Sequence, residues 1–154
     1  MDLLLRAKSF LEHNRLATIA TIFDNSPEAA VVYYTYDTSQ IYFVTEKSTR
    51  KAENILKNKK IALVIVQEEQ LEMLQIEGDG TMLTDPDERL KIVMQVFEKI
   101  NKNDSREPFP AMKLHPKDLE AFRIDIGWFK YSNFAEETVV LMGNSDDWNK
   151  TADA

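Results

Sequence analysis

The sixteen residues from Thr45 to Lys60, TEKSTRKAENILKNKK, hold six Lys/Arg and two acids in a chain whose formal net charge is −7. Within them Ser48, Thr49, Arg50 and Lys51 stand where the helix RKAENILKN should begin. A helix N-terminus already carries partial positive charge from its unpaired N–H groups, so each cation there costs about 0.3–1 kcal/mol. An anion offsets that cost: free N–H groups, a hydroxyl from Ser48 or Thr49 and two cations make a cradle suited to a phosphate. Lys57, Lys59 and Lys60 fall at the opposite end, where cations favour the helix dipole, and read as solvated structural charge. For Lys47, Arg50 and Lys51 two readings stand open, an anion site and ordinary surface charge paired with Glu46 and Glu53.

Other chemistry is poorly represented. The absence of cysteine excludes disulfide frameworks, thiol catalysis and Cys-ligated metal. His13 closes a predicted helix and His115 precedes Pro116, and two isolated histidines without HExxH-like spacing make no metal site. No nucleophile elbow and no P-loop occur. The pairs Asp85/Asp87 and Asp146/Asp147 read as a helix start and a solvated tail. A sequence pI near 4.9 argues against general nucleic-acid binding, because phosphate backbones demand broad basic surfaces.

The elements that must position the basic turn follow from periodicity. Leu4, Ala7 and Leu11, with Leu3 and Phe10 beside them, predict an amphipathic helix over residues 3–12, stopped near Asn14. RLATIATIF and AAVVYYTY flank the turn residues DNSPE and read as antiparallel strands; IYFVT follows after DTSQ as a third. Beyond the basic helix, IALVIV is a fourth strand and LEMLQIEGDGTML a fifth, with Gly78 and Gly80 marking a bulge or bend. In TDPDERLKIVMQVFEKINK, Asp85 caps, Pro86 takes the first turn, Glu88 completes a capping box, and Leu90, Val93, Met94 and Phe97 form the expected core face. A proline-punctuated loop, NDSREPFPAMKLHP, leads to a last strand or strand pair, LEAFRIDIGWFKYSN. Hairpin order without βαβ units predicts a mainly β (α+β) fold, a closed or partly closed antiparallel barrel of about six strands with peripheral helices. The expected organisation is a single domain over residues 1–143 and a frayed tail over 144–154. The opening residues lack the uninterrupted apolar core of a signal peptide and no later run reaches membrane-spanning length, so a cytoplasmic protein without membrane contact is expected.

From Leu16 to Leu83 the blocks LATIAT, AAVVYYTYDTSQIYFVT, STRKAENILKNKKIALVIV and IEGDG, in this spacing, resemble the pyridoxamine 5′-phosphate oxidase-like, FMN-binding split-barrel family, in particular its short general-stress-protein-like members. The resemblance implies that Thr49, Arg50 and Lys51 bind the FMN phosphate. It implies also that Val44 and Thr45 line the cofactor, and that Val31, Val32 and Tyr33 run along the isoalloxazine. It departs from true pyridoxamine phosphate oxidases where these carry Arg and Lys on the second strand, here Ala29 and Tyr34, and a flavin-contacting Gln, here Met73. The oxidases' C-terminal substrate motif has no counterpart, so oxidation of vitamin B6 is not expected.

The resemblance thus implies a homodimeric flavoprotein with FMN at the interface, passing electrons or hydride between a reduced donor and a small acceptor. No catalytic side chain and no metal is expected. The alternatives are a non-catalytic flavin-binding or stress-related module, and the same fold holding a deazaflavin or heme. Tyr33, Tyr34, Tyr36 and Tyr42 read either as flavin-stacking groups or as cross-strand aromatic pairs. Trp128 and Phe129 read as core or dimer contacts, with cover for a partner's flavin as the other reading.

Overall fold

The computed structural model describes residues 2–103, 115–135 and 137–150. Seven strands and four α-helices occur among them: α1 (Leu3–His13), β1 (Leu16–Phe23), β2 (Ser26–Asp37), β3 (Gln40–Glu46), α2 (Arg50–Lys57), β4 (Lys60–Gln67), β5 (Glu72–Met82), α3 (Pro86–Asn103), β6 (Leu119–Asn133), β7 (Val139–Asn144) and α4 (Ser145–Trp148). Most of the expected proline-punctuated loop, residues 104–114, and the last four residues of the expected tail lie outside the described residues.

The sheet runs β3-β2-β1-β4-β5-β6-β7, and β3 also pairs with β6. That pairing, from Ile41↔Ile124 to Glu46↔Leu119, closes six antiparallel strands into a barrel and leaves β7 as an added edge strand. The expected six-stranded barrel with peripheral helices is therefore what forms. Period-2 alternation divides each strand. On β2, Val32 and Tyr34 enter the main core with Ile19, Phe43, Leu63, Leu74, Ile76, Phe122 and Phe129, joined by Phe10 and Leu11 of α1 and Ile55 of α2. Tyr33 and Val44 point the other way, into a second core under α3. The strand pairs sit on tight turns: Asp24 and Asn25 both have φ near +55° (51° and 58°), as the β1–β2 turn requires.

Gly78 marks the expected bulge. The β5–β6 register shifts between Glu77 and Gly78, and a Cβ at Gly78 would lie 2.1 Å from the Asp125 carbonyl oxygen, a distance no side chain tolerates.

Two expectations are corrected. The buried face of α3 is Ile92, Val93, Val96 and Ile100, while Leu90 and Met94 are exposed and Phe97 is only partly buried. Asp85 does cap, accepting from the Glu88 N–H at 3.2 Å, but the helix is rotated from the face that Leu90 and Met94 would have defined. The start of the supposed tail is structured: β7 pairs with β6, and Asn144 caps α4 in a reciprocal box with Asp147. Trp148 is 1% exposed and meets Phe129 edge-on, ring centroids 4.9 Å apart. A large indole buried in the main core fixes this segment, which polar composition alone made look frayed.

Candidate functional site

The basic turn forms because Thr49 ends β3's exit and starts α2. Its hydroxyl accepts from the Ala52 N–H at 3.4 Å and also donates to the Glu46 carbonyl at 2.8 Å. The buried Thr45 hydroxyl lies 3.2 Å from that of Thr49, tying the strand end to the helix start. Arg50 and Lys51 thus occupy the first two positions of α2, where backbone N–H groups lack helical acceptors.

The partners of the two cations come from the β1–β2 hairpin. The Arg50 guanidinium donates through Nη2 to Ser26 Oγ at 2.9 Å, and its Nε lies 3.8 Å from Glu28 Oε2. Burial holds the Lys51 ammonium below its ordinary pKa, and the charge of Glu28 partly restores it. One helical turn on, the buried Asn54 donates to Thr21 Oγ1 at 3.1 Å and to Glu28 Oε2 at 3.4 Å. Thr21 and Glu28 face one another across the β1–β2 ladder, so the network rests on paired strands rather than on a loop. The expected solvated lysines have neighbours of their own: Lys57 lies over the Phe23 ring, its Nζ 4.4 Å from the centroid, and Lys59 and Lys60 pair with Asp79 at 3.5 and 2.9 Å.

Thr45, Thr49, Arg50 and Lys51 are therefore one cluster. Val31, Val32, Tyr33 and Val44 distribute elsewhere. Val31 is 53% exposed on the outer face of the barrel; the Val32 side chain, 3% exposed, is committed to the interior; Tyr33 and Val44, cross-strand partners, lie beneath α3. Tyr34 is fully buried, and its hydroxyl donates to the Leu11 carbonyl at 2.7 Å.

The outer face that Val31 shares is cut by two grooves. The larger, about 860 Å³, runs over Ala20, Ile22, Pro27, Ala62, Gly78 and Trp128; the smaller, about 290 Å³, over Thr18, Ala62, Val64, Gln75 and Trp128. None of the eight expected residues lines either groove. Pro27 connects the two regions, lining the larger groove between Ser26 and Glu28, which both meet Arg50. Ala29–Ala20–Ala62 form a row of small side chains across three paired strands, and Trp128 stands at its end opposite Glu77. This gives a flat floor with an aromatic wall, open to solvent, beside a cationic turn. Phe129, by contrast, is a core residue.

Sequence reading missed Ser26, Glu28, Asn54 and Thr21. Only Asn54 carried a signal, four residues after Arg50 on the same helix face. Among the described residues no group of three or more His, Asp or Glu could hold a metal ion, and no helix is long and apolar enough to cross a membrane.

The sequence profile described as pyridoxamine 5′-phosphate oxidase matches residues 5–131. No curated protein matches the chain in sequence. Among solved structures, a protein related to general stress protein 26 from Clostridium acetobutylicum superposes with TM-score 0.69 at 18% identity, covering 96% of this chain and 99% of its own. An F420 reductase gives TM-score 0.63 at 18% identity over 79% of this chain and 94% of its own. A heme binding protein from Mycobacterium smegmatis gives 0.71 at 8% identity over 96% of this chain and 60% of its own.

Proposed function

The chain belongs to the pyridoxamine 5′-phosphate oxidase family, and from that premise we propose that it is an FMN-binding flavoprotein, a homodimer that passes electrons between a reduced donor and a small acceptor. The observation that carries this reading is the cluster of Thr49, Arg50 and Lys51 at the N-terminus of α2, braced by Ser26. It fits a phosphate chemically: two cations stand at the helix start beside N–H groups without helical acceptors, on a turn that the Thr49 hydroxyl holds through the Glu46 carbonyl. The flat floor of Ala20, Ala29 and Ala62 beside Trp128 fits a planar ring, since small side chains let a ring approach the sheet and an indole can stack on it.

In this reading Arg50 and Lys51 anchor the phosphate, Thr49 orients the turn, and Val31 and Trp128 cover apolar ring surface. Val32, Tyr33 and Val44 hold the second and third strands in register. The bound flavin would supply the reversible electron chemistry; the chain supplies position and electrostatics, with no side chain acting as general acid or base.

Replacing Arg50 and Lys51 with Ala should weaken FMN binding by about 1.5–3 kcal/mol per residue, read as loss of flavin-fluorescence quenching on titration. Affinity equal to that of the unaltered chain would remove the phosphate assignment.

A second reading keeps the fold and changes the ligand to a deazaflavin or heme. What favours it is the loss of two cations relative to the oxidases, with Ala29 and the buried Tyr34 in their places, together with the likeness to an F420 reductase and a heme binding protein. Absorption spectra of the purified protein separate these chromophores.

A further inference from the structure

A second cluster of chemistry-bearing side chains lies apart from the basic turn, where α1, the end of β2 and α3 meet. These elements border a cavity of about 350 Å³ lined by Lys99, with Glu12, Asp37 and Glu98 as its other charged groups and Thr35 and Gln95 among its neutral polar ones. The Lys99 Nζ stands 4.5 Å from the centroid of the Tyr34 ring, itself fully buried, so the amine rests on an apolar face at the cavity wall. Burial lowers its pKa to about 8, and the charge of Glu12 draws it back in part. At pH 7.5 about a quarter of such an amine is unprotonated, against about one in a thousand for a lysine at its ordinary 10.5. Asp37 is offset by Lys91 at 3.7 Å and accepts from Gln95 at 3.4 Å; Glu12 and Glu98 add two further carboxylates to the wall.

We propose that Lys99 is a nucleophilic amine that captures a small, uncharged aldehyde as an imine in this cavity. A lysine desolvated against an apolar surface is the usual form of a Schiff-base nucleophile. The Nζ lone pair forms the C–N bond, and one N–H proton passes to the aldehyde oxygen to give a carbinolamine. A second proton, from solvent, lets that oxygen leave as water, and a protonated imine remains. This product keeps the positive charge of the lysine, which the Tyr34 ring face and the Glu12 carboxylate both favour; an acylated amine would lose it. The carboxylates also set the class of aldehyde. While Lys99 is neutral the wall is acidic, so an aldehyde carrying a carboxylate or phosphate is repelled, and one carrying a hydroxyl finds Thr35 and Gln95. The site shares no residue with the basic turn and stands whatever that turn binds.

The test treats the full chain at pH 7.5 with glycolaldehyde or glyoxylate, traps imines with cyanoborohydride and measures the modified lysines by peptide mass mapping. Lys59 and Lys91, both 65% exposed, serve as internal references. Lys99 is expected to take glycolaldehyde about tenfold faster than either reference. Glyoxylate, an anion of similar size, should show no such preference, and in denaturing urea the preference for glycolaldehyde should vanish. Glu12→Gln should narrow the ratio of glycolaldehyde to glyoxylate at Lys99. Labelling of Lys99 no faster than that of Lys59 and Lys91, or a preference that persists in urea, overturns the proposal. Equal preference for both aldehydes leaves a reactive amine but overturns its selection of an uncharged ligand, and a ratio unmoved by Glu12→Gln removes Glu12 from that selection.

Discussion

Lys99 shows how one side chain can couple packing to pH. Its Nζ lies 4.5 Å from the centroid of the Tyr34 ring, at the side of a cavity of about 350 Å³ that Glu12, Asp37, Gln95 and Glu98 also line. Burial pushes its pKa down to about 8, against the opposing pull of Glu12. The face of the Tyr34 ring also favours the ammonium. Between about pH 8 and the ordinary lysine value of 10.5, the unfolded chain keeps a proton that the folded chain has released. Stability must therefore rise with pH through that window, because the unfolded state binds more protons there. Below it both states are charged and the folded state bears the full desolvation cost. Replacing Lys99 with Met should remove this part of the rise, on the order of 1 kcal/mol once solvent screening and the ring contact are discounted. Urea unfolding of both proteins at pH 7.5 and pH 10 measures it; identical pH slopes would mean that Lys99 is not desolvated in solution. Tyr34 itself serves the core, its hydroxyl bonding α1 to β2.

At the scale of elements, the β7–α4 unit packs along β6 and reaches α1. Trp148 packs among Phe129, Tyr36 and the aliphatic core, with Lys8 of α1 over its ring. Trp148→Ala should cost about 3–5 kcal/mol, the usual range for emptying a buried large aromatic site, and should be visible as a lowered urea midpoint. A change under 1 kcal/mol would mean that α4 does not dock. This unit also marks the limit of what the sequence discloses. The strands β1 to β5 and the turn at Thr49–Lys51 were legible because β-branched runs, turn residues and a local charge inversion are properties of neighbouring residues. The pairing of Glu28 with Arg50 was not legible, since it exists only once α2 lies across β1 and β2. The same holds for α3. Both Leu90–Met94 and Ile92–Val96 are apolar at helical spacing, and contact with Tyr33, Val44 and Ala121, not periodicity, decides which stripe is buried. SDDW looked like tail because its acids are polar; their work is local, with Asp147 accepting from Asn144 N–H and Lys150 while the lone indole anchors the turn.

For the whole molecule, the question is what covers the outer face of β2, β1, β4 and β5. Val31 and Val66 there are 53% and 59% exposed, Ala62 is exposed and Val64 partly so, and the face carries both grooves. Apolar side chains on a sheet face, flanked by Gln75 and Glu77, are what an interface between two copies would use, and the proposed homodimer with its cofactor between barrels needs such a face. Val66 is the sharpest probe, because it opposes Met73 across the β4–β5 ladder and its side chain points outward. A glutamate there would be desolvated without a partner, a cost of several kcal/mol in an interface but almost none on a free surface. Leu5→Glu on α1, equally an exposed apolar site, serves as the control. Val66→Glu is expected to convert a dimer to monomer in sedimentation while Leu5→Glu leaves the mass unchanged, and the Val66 variant should lose FMN affinity in parallel, because half of a shared site departs with the second copy. A dimer that survives Val66→Glu, with FMN still bound, would place the interface on another face and return the grooves beside Trp128 to the surface of one barrel.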